Sequence, residues 1–404
     1  MSTSLLYHAF GIRGYHYVRT EYPGGAVTFT ISQPPERWRC ATCGSRQVIG
    51  RGCVERRFRA VPIGQRPVSI VLPVQRVGCL LCGAVRQVEV PFADARRSYT
   101  RAFERYALEL SQHMTIKAVA AHLGVSWDVI KDMQKRDLQR RFARPRLADL
   151  KQIAIDEIHL GKRQGYVTVV LDLSSGAIVF VGSGKGADAL EPFWKRLDRS
   201  GAVIDAVAID MSPAYILAVE THLPWAVVVF DHFHVIKLFN EKLSALRRDL
   251  YQQAKAAGDQ EVLKGTRWLL LKNPEDLDPA RDELRRLEKA LELNKPLATA
   301  YYLKEELRQL WAQADKAAAT SFLESWLARA QAAGIDVLRR FAKTLRRHEE
   351  GLLAYYDYPL STGPLEGTNN KIRALQRQAY GFRDLEFFKL KLMALHEAKY
   401  ALVG

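Results

Sequence analysis

Four of the five cysteines fall in two copies of one pattern, C-x-x-C-G. They are Cys40-Ala41-Thr42-Cys43-Gly44 and Cys79-Leu80-Leu81-Cys82-Gly83, and no other feature restricts the fold of this chain as much. A two-residue gap lets both sulfurs of a pair face one point. The following glycine permits the tight turn that aims backbone N–H groups at them. Two such pairs supply the four tetrahedral ligands of a structural Zn²⁺, with no position left open for catalysis. The intervening residues 44–78 carry alternating and β-branched stretches at 58–63 and 68–74, which are expected as strands. Disulfides are the competing explanation, and an odd cysteine total in a chain expected to stay inside the cell weighs against them. Cys53 is expected to be a spare thiol.

The chain has 404 residues, 48% hydrophobic and 26% charged, which excludes a disordered or collagen-like chain and leaves ample material for a core. Its longest strongly apolar stretches, such as 224–230, are strand-sized, whereas a membrane span needs about 20 such residues. A soluble intracellular protein is the expectation. The net charge of +16 is unevenly spread: residues 1–150 hold 24 Lys and Arg against 11 Asp and Glu, and the remainder is nearly balanced. A basic N-terminal third on a near-neutral body suits a phosphate-binding module, although a generic basic surface has the same charge.

From 100 to 146 the hydrophobic period becomes about 3.6 residues. Phe103, Tyr106, Ala107 and Leu110 form one apolar face. Thr115 then opens a short helix with Val119, Ala120 and Leu123 inward, Gly124 supplies a turn, and Ser126 opens a helix containing Trp127, Ile130 and Met133. This reads as a helix-turn-helix whose second helix enters a DNA major groove; a plain helical hairpin gives the same pattern. The second helix, about 126–136, is expected to turn Ser126, Asp128, Lys131, Gln134 and Lys135 outward. The basic residues Arg136, Arg140, Arg141, Arg144 and Arg146 follow, and Pro145 ends the segment.

Beyond residue 150, strands are expected at 152–158, 165–173 and 177–182, then a helix near 189–199 and a strand at 203–209. A helix begins at Ser212-Pro213, and a strand at 226–230 closes the unit. The order β-β-β-α-β-α-β is that of a ribonuclease-H-like fold. Asp156 interrupts the apolar first strand and Asp210 ends the fourth. An acid among strand apolars is costly to bury unless paired or bound to metal, and the carboxyl ends of strands are where open α/β sheets bind ligands. Parallel pairing of these two strands would bring the carboxylates together as a site for Mg²⁺. Either acid alone reads equally as an ordinary strand-end residue. A third acid, Glu366, stands where a loop enters a helix. It is placed to project toward the aspartates or merely to complement the helix dipole. Asn369 and Asn370, which follow it, are poor helix formers and have no rationale as stability choices.

Asp156 and Asp210 are 54 residues apart and Asp210 and Glu366 are 156 apart, so the fold carries an insertion before its last helix. Residues 239–355 read as helices with breaks at Asn273-Pro274 and Asn294-Lys295-Pro296. Arg339, Lys343, Arg346 and Arg347 fall near one helical face, which is either solvated or phosphate-tracking. Trp268, Trp311 and Trp326 are expected in the core of this bundle. From Lys371 a basic amphipathic tail carries Arg373 and Arg377, with Leu385, Phe388, Leu392 and Leu395 at helical spacing.

Taken together, Ile155-Asp156-Glu157, Ile209-Asp210-Met211-Ser212, Asp231-His232-Phe233-His234 and Glu366-Gly367-Thr368-Asn369-Asn370-Lys371-Ile372-Arg373 resemble a DDE transposase of bacterial insertion sequences, of the ISL3 type. The resemblance covers essentially the whole chain and is most specific at 366–382. It implies a multidomain α/β protein: a β-rich zinc-binding domain at 1–95, a helix-turn-helix at 96–148, and a ribonuclease-H-like catalytic domain at 149–238. A helical insertion at 239–355 interrupts that domain, which resumes at 356–404.

The resemblance makes Asp156, Asp210 and Glu366 the ligands of two Mg²⁺ or Mn²⁺ ions, supported by Asp231, His234 and Asn370. Cys40, Cys43, Cys79 and Cys82 hold the structural zinc. Glu157, Asp172 and Asp205 are set aside as ligands, and His159 and His232 are given structural roles. DNA contacts are expected from Ser126, Lys131, Gln134, Lys135, Arg136, Arg140, Arg141, Arg339, Lys343, Arg346, Arg347, Lys371, Arg373 and Arg377. The implied activity is cleavage at an element's ends followed by transfer of the freed 3′-hydroxyl to target DNA. A homodimer or larger multimer on double-stranded DNA, in the bacterial cytoplasm at the nucleoid, is expected to perform it. A ribonuclease-H-like nuclease and a catalytically inactive DNA-binding regulator are the alternatives.

Overall fold

The computed structural model describes residues 5–161, 165–256, 266–292, 294–360, 363–379 and 381–395. The end of the basic tail, residues 396–404, and parts of the expected insertion, 257–265 and 293, lie outside them. The chain forms two compact units, Met1–Arg141 and Phe142–Gly404.

The first unit opens with α1 (Leu5–Phe10), β1 (His16–Glu21) and β2 (Val27–Ser32). Two long strands follow, β3 (Val48–Ile63) and β4 (Arg66–Cys79), then the short β5 (Val85–Gln87). The strands expected at 58–63 and 68–74 are therefore the inner halves of a longer antiparallel ribbon. It reaches from the hairpin at Gly64 back to the cysteine pairs, with Val48 opposite Cys79. β2 lies parallel to β4, and Phe29, Ile31, Phe58, Ile70 and Leu72 form a core beneath the sheet.

Helices α2 (Arg101–Leu110), α3 (Ile116–Leu123) and α4 (Trp127–Phe142) make a second core of Phe103, Ala107, Val119, Leu123, Ile130 and Met133. Thr100 caps α2 by accepting from the Phe103 N–H, and Thr115 caps α3 by accepting from the Ala118 N–H. Gly124 makes the turn at φ 60°, a left-handed conformation that glycine adopts without a Cβ penalty. Arg59 ties the sheet to this trihelical module: its guanidinium donates to the Leu123 carbonyl at 2.7 Å.

The second unit holds β6 (Gln152–His159), β7 (Tyr166–Asp172), β8 (Ile178–Ser183), α5 (Glu191–Ser200), β9 (Ala206–Ile209), α6 (Pro213–His222) and β10 (Val227–Phe230). This is the expected β-β-β-α-β-α-β order. The sheet order is β10-β9-β6-β7-β8, with β6, β9 and β10 parallel and β7 and β8 antiparallel. Near-continuous runs of Val, Ile and Ala build these strands, as a sheet buried on both faces requires. Asp172 belongs to the turn after β7: its carboxylate accepts from the N–H groups of Ser174 and Ser175 at 3.1 and 2.9 Å.

α7 (His232–Ala256) leaves β10 directly and runs unbroken through position 239 into a helical bundle. The bundle contains α8 (Arg267–Leu271), α9 (Glu283–Glu292), α10 (Lys295–Leu307), α11 (Lys316–Ala332), α12 (Asp336–Arg347) and α13 (Glu349–Leu353). Phe239, Trp326 and Phe341 meet edge-to-face with centroids 4.8–6.2 Å apart, locking α7 against α11 and α12. Trp326 is buried as expected, and its indole N–H donates to the Leu303 carbonyl. Trp311 packs half-buried on the core. Trp268 corrects the expectation: it is 65% exposed with the Arg267 guanidinium over its ring, because α8 turns Leu269 and Leu270 inward instead. Sheet and bundle share one hydrophobic core. α14 (Gly363–Gln378) then returns to β6 and α15 (Leu385–Met393) packs on β8.

Candidate active site

The strand registers decide which acids meet. β6 and β9 pair with Gln152 opposite Ala206 and Ala154 opposite Ala208. The same register carried two positions further sets Asp156 opposite Asp210. β9 and β10 pair with Ile209 opposite Phe230, and the Asp231 N–H donates to the Ile209 carbonyl, so Asp231 follows opposite Asp210. Three aspartates thus stand in one row across three adjacent parallel strands, Asp210 and Asp231 just past the ends of β9 and β10 and Asp156 within β6 where its pairing with β9 stops, near the edge where such sheets bind ligands.

Each member of the row is held. Asp156 Oδ1 accepts from the Glu157 N–H at 2.8 Å, and Asp210 Oδ1 accepts from the Ser212 N–H at 3.0 Å. Asp231 caps α7 by accepting from the Phe233 N–H at 2.9 Å. One turn into α7, His234 sets Nδ1 2.8 Å from Asp231 Oδ2 and Nε2 3.8 Å from Asp156 Oδ1. The imidazole therefore bridges the ends of the row. Burial pushes the Asp210 carboxyl up; the Ser212 N–H and His234 oppose this, and the charges of Asp156 and Glu157 add to it. Burial alone would lower His234, but the bond to Asp231 and the charges of Asp156, Asp231 and Asp210 outweigh it and raise the imidazole. Carboxylates set side by side in this way fit a divalent cation by the chemistry of their donors.

α14 contributes from the other side. Its buried face is Leu365, Thr368 and Ile372. Asn369 donates from Nδ2 to Asp156 Oδ2 at 2.6 Å, whereas Asn370, the neighbour expected to support the site, is exposed. Glu366 is exposed in the first turn of α14, three residues before Asn369 and so on the same side of the helix. Among the described residues the four cysteines are the only group of three or more metal-ligating side chains with atoms all within 4.8 Å of one another; neither the aspartate row with His234 nor Asp156 and Asp210 with Glu366 is drawn in that tightly. Sequence reasoning missed Asn369 as a site residue; its signal was a poor helix former inside a helix. Glu157 points elsewhere, accepting from the Tyr215 hydroxyl at 2.6 Å and the Gly186 N–H at 3.1 Å. Arg373 and Arg377 line an open recess with Gln376, Leu160 and Gly381, and Lys371 is exposed on the same helix.

The cysteine cluster is a second centre. Cys40 Sγ lies 3.6 Å from Cys82 Sγ, and Cys43 Sγ 3.6 Å from Cys79 Sγ. A tetrahedron with Zn–S bonds of about 2.3 Å has edges of about 3.8 Å. Gly44 and Gly83 take φ of 74° and 71° in matching turns, their N–H groups donating to the Cys40 and Cys79 carbonyls. Backbone N–H groups of Cys43 and Thr42 pull the Cys40 thiol down to about 6. Cys53 is exposed and apart from the cluster.

On the helix-turn-helix, Ser126 and Asp128 are exposed and Lys131 and Lys135 half-buried. Gln134 corrects the expectation of an outward residue: it is 4% exposed, one position after Met133 on the face that packs against α2 and α3. Trp127, in the first turn of α4, is 54% exposed, with the Lys131 ammonium over its ring at 5.5 Å. Arg136 is drawn inward by Glu104 at 2.8 Å and by the Tyr99 hydroxyl, and Arg140 and Arg141 pair with Asp137. On α12, Leu338, Phe341, Ala342 and Leu345 face the core. Arg339, Arg340, Lys343, Arg346 and Arg347 are exposed, with Arg339 paired to Asp336 and Arg346 to Glu349.

A β-β-β-α-β-α-β sheet with acids across its parallel strand ends, in a chain that also carries a four-cysteine ribbon and a helix-turn-helix, defines a DNA-processing protein of the transposase class. Family profiles agree along the chain. A transposase profile of ISL3 type matches residues 153–392, the helix-turn-helix domain of transposase family ISL3 matches 88–137, and the zinc-finger of transposases IS204/IS1001/IS1096/IS1165 matches 36–82. The chain belongs to the ISL3 family of insertion-sequence transposases. It is 33% identical over 390 residues to the transposase for insertion sequence element IS1001 of Bordetella parapertussis, covering 95% of this chain and 96% of that one. It is 30% identical over 372 residues to the transposase for IS1557 of Mycobacterium tuberculosis, covering 85% and 82%. A solved Drosophila P element transposase strand transfer complex aligns at TM-score 0.39 and 12% identity, over 72% of this chain and 90% of that one. No helix among the described residues is long and apolar enough to cross a membrane.

Proposed function

We propose that this transposase binds the ends of its element through the ribbon and helix-turn-helix, and cuts and joins DNA at the aspartate row. The observation that carries the reading is the register that sets Asp156 beside Asp210 at adjacent parallel strand ends, under one imidazole. Asp156 and Asp210 are the ligands of divalent ions, Mg²⁺ or Mn²⁺, and Glu366 joins them when DNA draws α14 and β6 closer. Two ions held there supply an activated oxygen nucleophile and a stabilised leaving oxygen. In the first step water adds to the scissile phosphorus and the P–O3′ bond breaks, leaving a 3′-hydroxyl on the element. In the second that hydroxyl attacks a target phosphodiester, forming one P–O bond as another breaks. Asp231 fixes the His234 ring, and His234 keeps a donor directed at Asp156. Arg373, Arg377 and Lys371 hold phosphates beyond Glu366; Lys343, Arg347 and their neighbours on α12 track the duplex backbone. Cys40, Cys43, Cys79 and Cys82 hold a structural zinc. The protein acts in the bacterial cytoplasm as a dimer or larger assembly on paired ends.

The test is cleavage and joining on DNA carrying the element end, with Mg²⁺ or Mn²⁺, comparing the wild type with Asp210→Asn. Metal-dependent nicking and joining that vanish in the variant while end binding survives is the expected result. End binding without metal-dependent cleavage in the wild type would refute the catalytic assignment.

A further inference from the structure

Asn369 is expensive where it stands. An asparagine inside a helix is less favourable than alanine, and its Oδ1 is buried with no hydrogen-bond partner among the described residues. An unpaired buried acceptor adds a desolvation penalty. Against this stands one charge-assisted bond, Nδ2 to Asp156 Oδ2 at 2.6 Å. A link between α14 and β6 alone needs only the donor. It leaves unexplained why a polar acceptor is buried beside a row of three carboxylates, where any protein partner would also have to be a donor.

The geometry of Asp156 supplies the missing piece. Its Oδ1 takes the Glu157 N–H and its Oδ2 takes Asn369, so each oxygen has spent one lone pair on an N–H and keeps another. A cation on those remaining lone pairs brings its own water, and a bound water is a strong donor.

We propose that Asn369 is a positioning residue with two functions: its amide N–H aims the Asp156 carboxylate, and its Oδ1 accepts from a water carried by the divalent ion that Asp156 takes. The same side chain fixes α14 one turn beyond Glu366, so it also sets how far that acid stands from the aspartates. This rests on the reading of Asp156 and Asp210 as ion ligands.

The experiment titrates Mn²⁺ alone into the zinc-loaded full-length protein and follows its affinity and the melting temperature with and without Mn²⁺. Asn369→Ala is expected to weaken Mn²⁺ binding tenfold to a hundredfold, roughly the effect of removing an outer-shell partner. Asn369→Asp keeps an acceptor but sets a carboxylate against Asp156. Its melting temperature without Mn²⁺ is expected to fall below that of the wild type, and Mn²⁺ is expected to raise it by more than it raises the wild type. A purely structural role gives lower melting temperatures for both variants and an unchanged Mn²⁺ affinity, which overturns the proposal. Asp156→Asn separates the two levels. Binding lost in Asp156→Asn but intact in Asn369→Ala overturns only the role of Asn369; binding indifferent to both overturns the carboxylate site as well.

Discussion

Gly351 tests whether the helical bundle is wedged against the sheet that carries the aspartates. It lies in α13, and a Cβ built there meets the Phe230 ring at 2.4, 2.6 and 3.1 Å. Phe230 is the last residue of β10, 4% exposed, with the His348 ring edge-on to it at 5.2 Å, so the ring has little room to retreat. Helix propensity and packing give Gly351→Ala opposite signs. Replacing a helical glycine by alanine stabilises by about 1 kcal/mol, whereas forcing a methyl into a filled core costs about 1–3 kcal/mol. A contact more than an ångström too short belongs at the upper end of that range, so the net loss is about 2 kcal/mol. For a cooperative unit of this size, about 2–4 °C per kcal/mol, the melting temperature falls by about 4–8 °C. Phe230→Leu removes the ring edge. Gly351→Ala made in that background should cost less by about 1–2 kcal/mol, a coupling expected only between residues in contact. Differential scanning calorimetry of the four proteins completes the cycle. A melting temperature for Gly351→Ala equal to or above the wild type would mean that propensity decides, and the wedge would be wrong.

Three other perturbations follow from the same structure. Gly182→Ala in β8 sets a Cβ 2.3 Å from the Ala189 carbonyl oxygen, backbone against backbone, and a loss of about 3 kcal/mol is expected in the denaturation midpoint; a neutral variant refutes the close approach. With zinc bound, one thiol, Cys53, should react quickly with an aromatic disulfide reagent, and after chelation all five should, with loss of end binding; five fast thiols before chelation would exclude the four-cysteine centre. Trp127→Ala should weaken binding to the element end by about 1–3 kcal/mol while leaving binding to random duplex unchanged at fixed salt; parallel losses on both DNAs would remove Trp127 from sequence readout.

The strand order, the paired acids and the cysteine knuckles were legible because each rests on local pattern. Apolar runs of strand length, a Ser174-Ser175-Gly176 turn, and Gly44 and Gly83 one residue past each pair declare themselves within a few positions. The 54-residue spacing between Asp156 and Asp210 even equals the register offset of β6 and β9. Side-chain direction was less legible. Gln134 is buried where an outward residue was expected, because α4 is packed by α2 and α3 from a side that its own periodicity leaves ambiguous. Trp268 is exposed because its short helix already buries two leucines. Asn369 rather than Asn370 reaches Asp156, a choice fixed by the rotation of α14 on β6, across 213 residues of sequence.

The imidazole over the row is placed by parts of the chain far from the acids. His234 stands on the first turn of α7, and α7 is pinned in the bundle through Phe239 to Trp326 and Phe341. The row of aspartates belongs to the sheet, but the imidazole over it moves with the insertion. α13 of the same insertion presses on Phe230, the residue before Asp231. The bundle therefore holds both sides of the Asp231–His234 pair, the strand end through Phe230 and the helix through Phe239. An insertion that merely lengthened a loop would leave these contacts unmade and would have a core of its own. Here sheet and bundle share one core, so strain imposed on the helices has a direct mechanical route to the distance between His234 and Asp156.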